Sequence, residues 1–127
     1  GKAISGLVPK EIEDLKTLKN VVLLGYVTDG EVKSLMKKCR AFIFPSYYEG
    51  FGIPPLEALS VGAEAICAKA ASLPEIFGNS VHFTDPYEKN PDVEALLADK
   101  TRDSLAVLEK YTYQSAAEKL LEVLREI

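Results

Sequence analysis

Short apolar runs separated by amphipathic stretches set the rhythm of this chain. Val21-Val-Leu-Leu24, a β-branched and apolar run, Ala41-Phe-Ile-Phe44 and Ala65-Ile-Cys-Ala68 are continuous apolar runs, and Val81-His-Phe83 is a shorter one. Continuous runs rather than alternation are expected of strands buried on both faces of a parallel sheet. Helical periods lie between them. Ile12, Leu15 and Leu18 share one face of a helix expected over Leu7 to Leu18. Thr28-Asp-Gly-Glu31 has capping-box spacing and opens a helix reaching about Cys39, with Val32, Leu35 and Met36 facing inward. Pro54 to Val61 reads as a short helix stopped by Gly62, and Ser72-Leu-Pro-Glu75 as a second capping box before Gly78. Three more helices are expected over Asp92 to Ala98, Arg102 to Tyr111 and Tyr113 to Glu126. Thr112 would cap the last, whose stripe of Ala116, Ala117, Leu120, Leu121 and Leu124 would cover the sheet or a neighbouring domain.

Strand, helix, strand in succession predicts right-handed crossovers and an α/β fold: a Rossmann-like parallel sheet with flanking helices. A chain of 127 residues fits one domain, spanning 1–127. Its 47% hydrophobic and 27% charged content is that of a globular protein. The formal net charge of −4, without a basic stripe, argues against nucleic acid as a partner. A phosphorylated ligand would therefore be met by backbone dipoles and a few local cations. Cys39 and Cys67 lack CxxC spacing and nearby histidines, so two buried free thiols are expected and no metal site. The lone His82, in a short strand, reads as structural. No apolar run approaches the ~20 residues of a membrane span, and the N-terminal residues lack a signal-peptide core, so a cytoplasmic location is expected.

In open α/β sheets ligands sit beyond the carboxyl ends of the strands. Of the loops expected there, Gly25 to Gly30, Pro45 to Ile53, Lys69 to Ser72 and the segment after Phe83, the second is the most informative. It passes Tyr47 and Tyr48 into Glu49-Gly-Phe-Gly52 before a helix starting near Pro54 and Pro55. Gly50 and Gly52 let the backbone approach a ligand, and free N–H donors with the positive end of a helix dipole can hold phosphate or sugar hydroxyls. Glu57, placed in the first turn, could accept from a vicinal diol, and Glu49 would face the same space. Each feature alone has a plainer explanation: a first-turn acid compensates the dipole, and glycines make turns. Together, after a buried strand, they favour a site.

The stretch from Phe44 to Leu59, containing Glu49-Gly-Phe-Gly-Ile-Pro-Pro-Leu-Glu57, resembles the E-x7-E signature of the retaining glycosyltransferases of the GT-B type, glycosyltransferase family 4 or glycosyl transferases group 1. Asn20 to Glu31, Ser72 to Ile76, Asp85-Pro86 and Thr112-Tyr113 resemble flanking segments of the same family. The resemblance implies transfer of a sugar from a nucleoside-diphosphate sugar to an acceptor hydroxyl with retention. It implies Glu49 as the catalytic residue near the donor sugar and Glu57 on the ribose hydroxyls. Gly50, Phe51, Gly52 and Ile53 would hold sugar and diphosphate, Leu56 would pack near the ribose, and Tyr26 and Val27 would border the base. No metal and no cofactor are implied, the nucleotide sugar being a substrate. The acceptor, a glycan or lipid-linked sugar, would be met by an N-terminal domain that this chain lacks, making it the truncated C-terminal half of a GT-B fold. The full-length protein would sit in the cytoplasm or peripherally at the inner membrane.

Two departures accompany the resemblance. Glu64 stands where the family often has proline before a strand, and the family's diphosphate-binding Arg and Lys lie upstream of this chain, leaving Lys69 as the nearest local cation. The fragment alone would then be inactive. The resemblance also implies two upstream strands, absent here, that lie between Val21–Leu24 and Ala41–Phe44 in the family's strand order, so those runs should pair directly or leave open edges that invite a homo-oligomer. An alternative is a non-catalytic α/β binding or interaction module keeping the nucleotide pocket. The E-x7-E context argues against a nucleotide-sugar epimerase, and the lack of a lysine placed for pyridoxal phosphate against a phosphorylase.

Overall fold

The computed structural model describes residues 10–99 and 103–127, which fall into two compact units divided after Val32. The helix expected over Leu7 to Leu18 is observed as α1, Lys10–Lys16, its first expected residues lying outside the described ones. Leu15 and Leu18 are exposed. Val21 to Leu24 forms no strand, and Val22 is 78% exposed. The reason is pairing: a strand is held by hydrogen bonds to a neighbour, and among the described residues none pairs with this run. The capping box at Thr28 is formed, its amide and hydroxyl donating to Glu31 Oε2 at 2.7 and 2.8 Å. It opens α2, Asp29–Lys38, of which Met36 is buried and Leu35 exposed.

The second unit holds the sheet. β1 (Phe42–Phe44), β2 (Ala65–Ala68) and β3 (His82–Thr84) are parallel in the order β1-β2-β3, with Ile43 opposite Ile66 and Cys67 opposite Phe83. Central β2 is buried throughout, whereas edge strand β1 leaves Ile43 53% exposed, so β1 is only partly buried. Of the two outcomes expected for Val21–Leu24, direct pairing with β1 is not found among the described residues. Crossovers run through α3 (Ile53–Ser60) and α4 (Leu73–Phe77); α5 (Val93–Ala98), α6 (Ser104–Lys110) and α7 (Tyr113–Glu126) follow. α3 packs on β1, β2 and α6. The core gathers Leu59, Ala65, Cys67, Leu73, Phe77, Val81 and Val107. This is a small α/β domain with a three-stranded parallel sheet flanked by helices.

Glu64 has a structural use. Its carbonyl accepts from the Phe42 amide at 2.8 Å, and its carboxylate lies 3.0 Å from Nε2 of His82, which is fully buried at the start of β3. Cys67 is buried as expected, but Cys39 is exposed: it follows α2 at its solvent-facing end. Thr112 caps α7, accepting from the Ser115 amide at 3.0 Å, yet no residue of α7 is buried and Leu120, Leu121 and Leu124 are exposed. No helix among the described residues is long and apolar enough to cross a membrane.

Candidate functional site

The loop from Pro45 to Gly52 leaves the carboxyl end of β1 and runs into α3. Gly52 adopts φ 89°, ψ 55°, a left-handed conformation that an L side chain rarely takes. A Cβ there would lie 2.7 Å from Leu73 Cδ2 and 3.1 Å from Phe77 Cε2, so the backbone is seated directly on α4. Gly50 has open space around it. The two glycines therefore have different tasks: Gly52 permits a close approach within the protein, and Gly50 leaves the main chain accessible from outside.

Glu49 is anchored at both ends. Ser46 Oγ donates to Glu49 Oε1 at 2.8 Å, and Ser72 Oγ donates to the Glu49 carbonyl at 2.7 Å. Tyr47 extends the anchoring, its hydroxyl donating to the Pro86 carbonyl at 2.6 Å and its ring lying 5.8 Å from that of Tyr87. The β1 loop is thus tied to the loops after β2 and β3. Phe51 turns its ring inward, edge-on to Tyr111 at 5.1 Å, so what it can offer a ligand is its main chain.

Glu57 is exposed and lies in the second turn of α3, not the first, because the helix already begins at Ile53. The helix start also supplies fewer donors than expected. Pro54 and Pro55 have no N–H, which leaves the amides of Gly50 to Ile53 to meet an anion. Among the described residues, none of the amides of Gly50, Phe51 and Gly52 donates a main-chain hydrogen bond. Ile53 is 60% exposed, whereas Leu56 is half-buried against the core. Lys69, at the end of β2, is exposed. Tyr26 and Val27 belong to the first unit, Tyr26 exposed and Val27 half-buried.

A cavity of about 430 Å³ opens beyond β3, lined by Thr84, Asp85, Glu88, Asp92, Leu96 and Asp99 among others. Its acidic wall is a poor match for a phosphate, and two of the carboxylates are already used: Asp85 accepts from the Tyr87 amide and Asp92 from the Ala95 amide. The Glu49–Glu57 segment is the better site for an anionic ligand. Sequence reasoning missed Ser46, Tyr47, Ser72 and Tyr87, whose partners are distant in sequence or, for Ser46, set by the loop's fold. It could have found only Ser46, three residues before Glu49.

Residues 8–115 match the family described as glycosyl transferases group 1. An O-antigen chain mannosyltransferase B of Escherichia coli is 44% identical over 59% of this chain and 19% of its own length. A serotype-specific mannosyltransferase WbdA of Escherichia coli is 32% identical over 80% of this chain and 14% of its own. An uncharacterized glycosyltransferase of Methanocaldococcus jannaschii, MJ1607, is 33% identical over 81% of this chain and 30% of its own. The chain spans less than a third of each of these relatives. No solved structure matches it.

Proposed function

The chain belongs to the glycosyl transferases group 1 family, and on that premise we propose that it is the donor-binding half of a retaining transferase of the E-x7-E, family 4 type. The observation that carries the reading is the anchored Glu49 in a loop at the carboxyl end of β1, with an exposed Glu57 one turn into α3. In this reading the free amides of Gly50 to Ile53 meet the diphosphate, aided by the α3 dipole. Glu57 accepts hydrogen bonds from the ribose diol, with Ile53 and Leu56 beside it. Glu49 faces the donor sugar, where its carboxylate can stabilise positive charge developing at the anomeric carbon as the nucleoside diphosphate leaves. No cofactor takes part. The sugar is mannose, as the names of the relatives suggest, and the acceptor is a glycan or lipid-linked sugar bound by a further domain. The place of action is the cytoplasm or the cytoplasmic face of a membrane.

The test is calorimetric titration of GDP-mannose, UDP-glucose, ADP-glucose and their parent diphosphates onto the chain. Saturable binding of one pair is expected. Glu57→Ala should weaken it about 10- to 150-fold, the worth of a hydrogen bond to a charged group. Absence of any binding refutes the reading. Binding by a full-length protein that transfers no sugar would leave the non-catalytic module.

A further inference from the structure

We infer that Ser72 is a positioning residue for Glu49, acting through the main chain of the loop; the inference rests on the donor-site reading. Ser72 occupies the N-cap position of α4, and Glu75 three residues later completes the spacing of a capping box. The box is not formed. An N-cap residue normally has extended backbone angles, but Ser72 is at φ −77°, ψ −13°, and its side chain makes no cap hydrogen bond. Its hydroxyl is committed instead to the Glu49 carbonyl, 23 residues earlier in the chain.

The backbone before it is bent to allow this. Ala71 has φ 48°, the one positive-φ non-glycine among the described residues. Such strain persists only where the surroundings over-determine it. Here they do: the Lys69 amide donates to Thr84 at 2.9 Å, the Ala70 amide to Ala68 at 2.9 Å and the Leu73 amide to Ala70 at 3.2 Å. The turn ends β2 abruptly and delivers Ser72 to the Glu49 loop. The next residues continue the contact, since Gly52 is seated on the side chains of Leu73 and Phe77. With Ser46 on its carboxylate and Ser72 on its carbonyl, Glu49 is held at two points from two different loops. Losing the Ser72 bond releases the main chain that sets where the Glu49 carboxylate points. A displacement of an ångström in such a group is enough to weaken a sugar contact.

The test compares the nucleotide sugar that binds among GDP-mannose, UDP-glucose and ADP-glucose with its parent diphosphate, on the intact chain. The wild type is expected to bind the sugar nucleotide more tightly. Ser72→Ala should reduce that preference about five- to tenfold while leaving the diphosphate affinity within twofold, and Ser72→Thr, which keeps the hydroxyl, should restore it. Glu49→Gln should lower the preference likewise, and Glu49→Gln with Ser72→Ala should lose no more than Glu49→Gln alone. Thermal melting establishes that each variant is folded; if Ser72→Ala is not, Ser72→Cys, which keeps the size but donates only weakly, carries the comparison and should lower the preference likewise, while Ala71→Gly, which takes φ 48° without strain, should leave it unchanged. An unchanged preference in folded Ser72→Ala, an equal loss for both ligands, additive losses in the double variant, or a wild type with no preference overturns the inference alone. A wild type that binds neither ligand overturns the donor-site reading and this inference with it.

Discussion

Replacing Gly52 with alanine tests the contact that seats the Glu49 loop on α4, with no ligand needed. Two costs are expected. A left-handed backbone at φ 89° costs an L residue about 1–2 kcal/mol. The added Cβ, 2.7 Å from Leu73 Cδ2 and 3.1 Å from Phe77 Cε2, must displace two fully or nearly fully buried side chains, an overpacking worth about 1–3 kcal/mol. The sum, about 2–5 kcal/mol, is a large share of the ~5–15 kcal/mol stability of a domain. Urea denaturation followed by circular dichroism should show a midpoint lower by about 1 M or more. Gly50→Ala is the control: with nothing within 4 Å of its Cβ it should stay within about 0.5 kcal/mol of the wild type. A second arm separates the two costs. In a Leu73→Ala background the clash with Cδ2 disappears while the backbone cost remains, so the alanine at 52 should cost about 1–2 kcal/mol less there. A Gly52→Ala midpoint no lower than that of Gly50→Ala would refute the reasoning.

Burial pushes the Cys67 thiol up to about 12, so in native protein at pH 8 iodoacetamide should label exposed Cys39 and spare Cys67 until denaturant is added, as read by mass spectrometry. The Thr28 amide and hydroxyl hold the Glu31 carboxyl below its ordinary value of 4.5, so the capping contribution is present above that pH and is lost as pH falls through the depressed value. Amide protection factors at the start of α2, which correct for the intrinsic slowing of exchange in acid, should therefore fall as pH drops through that value, and Glu31→Gln should abolish this fall. Thr112→Ala removes the bond to the Ser115 amide and should destabilise α7 by about 0.5–2 kcal/mol, seen as lost helical ellipticity.

Much of this architecture was legible locally. Ala65–Ala68 reads as a buried strand and is one, because it is the central strand and needs only its two neighbours. Thr28 and Thr112 read as caps because capping is completed within four residues. The Glu49–Glu57 segment was visible as a candidate site because its two glycines, two prolines and two carboxylates are contiguous.

Where a residue's role depended on a distant partner, pattern alone misled. Val21–Leu24 has strand composition but no partner, and strand formation is a property of pairs. Ser72 has the spacing of a cap, but its backbone angles, fixed by contacts to β3 and to its own turn, send its hydroxyl to Glu49. Glu64 stands where the resembled family often has proline, and its use, facing a buried histidine, depends on a strand 18 residues away. By itself the sequence determined the α/β order and marked Glu49–Glu57 as a candidate segment, since periodicity and chain direction are local. Only the tertiary structure decided which groups hold Glu49 and which face of each glycine matters, because those depend on loops from three different strands meeting at one end of the sheet.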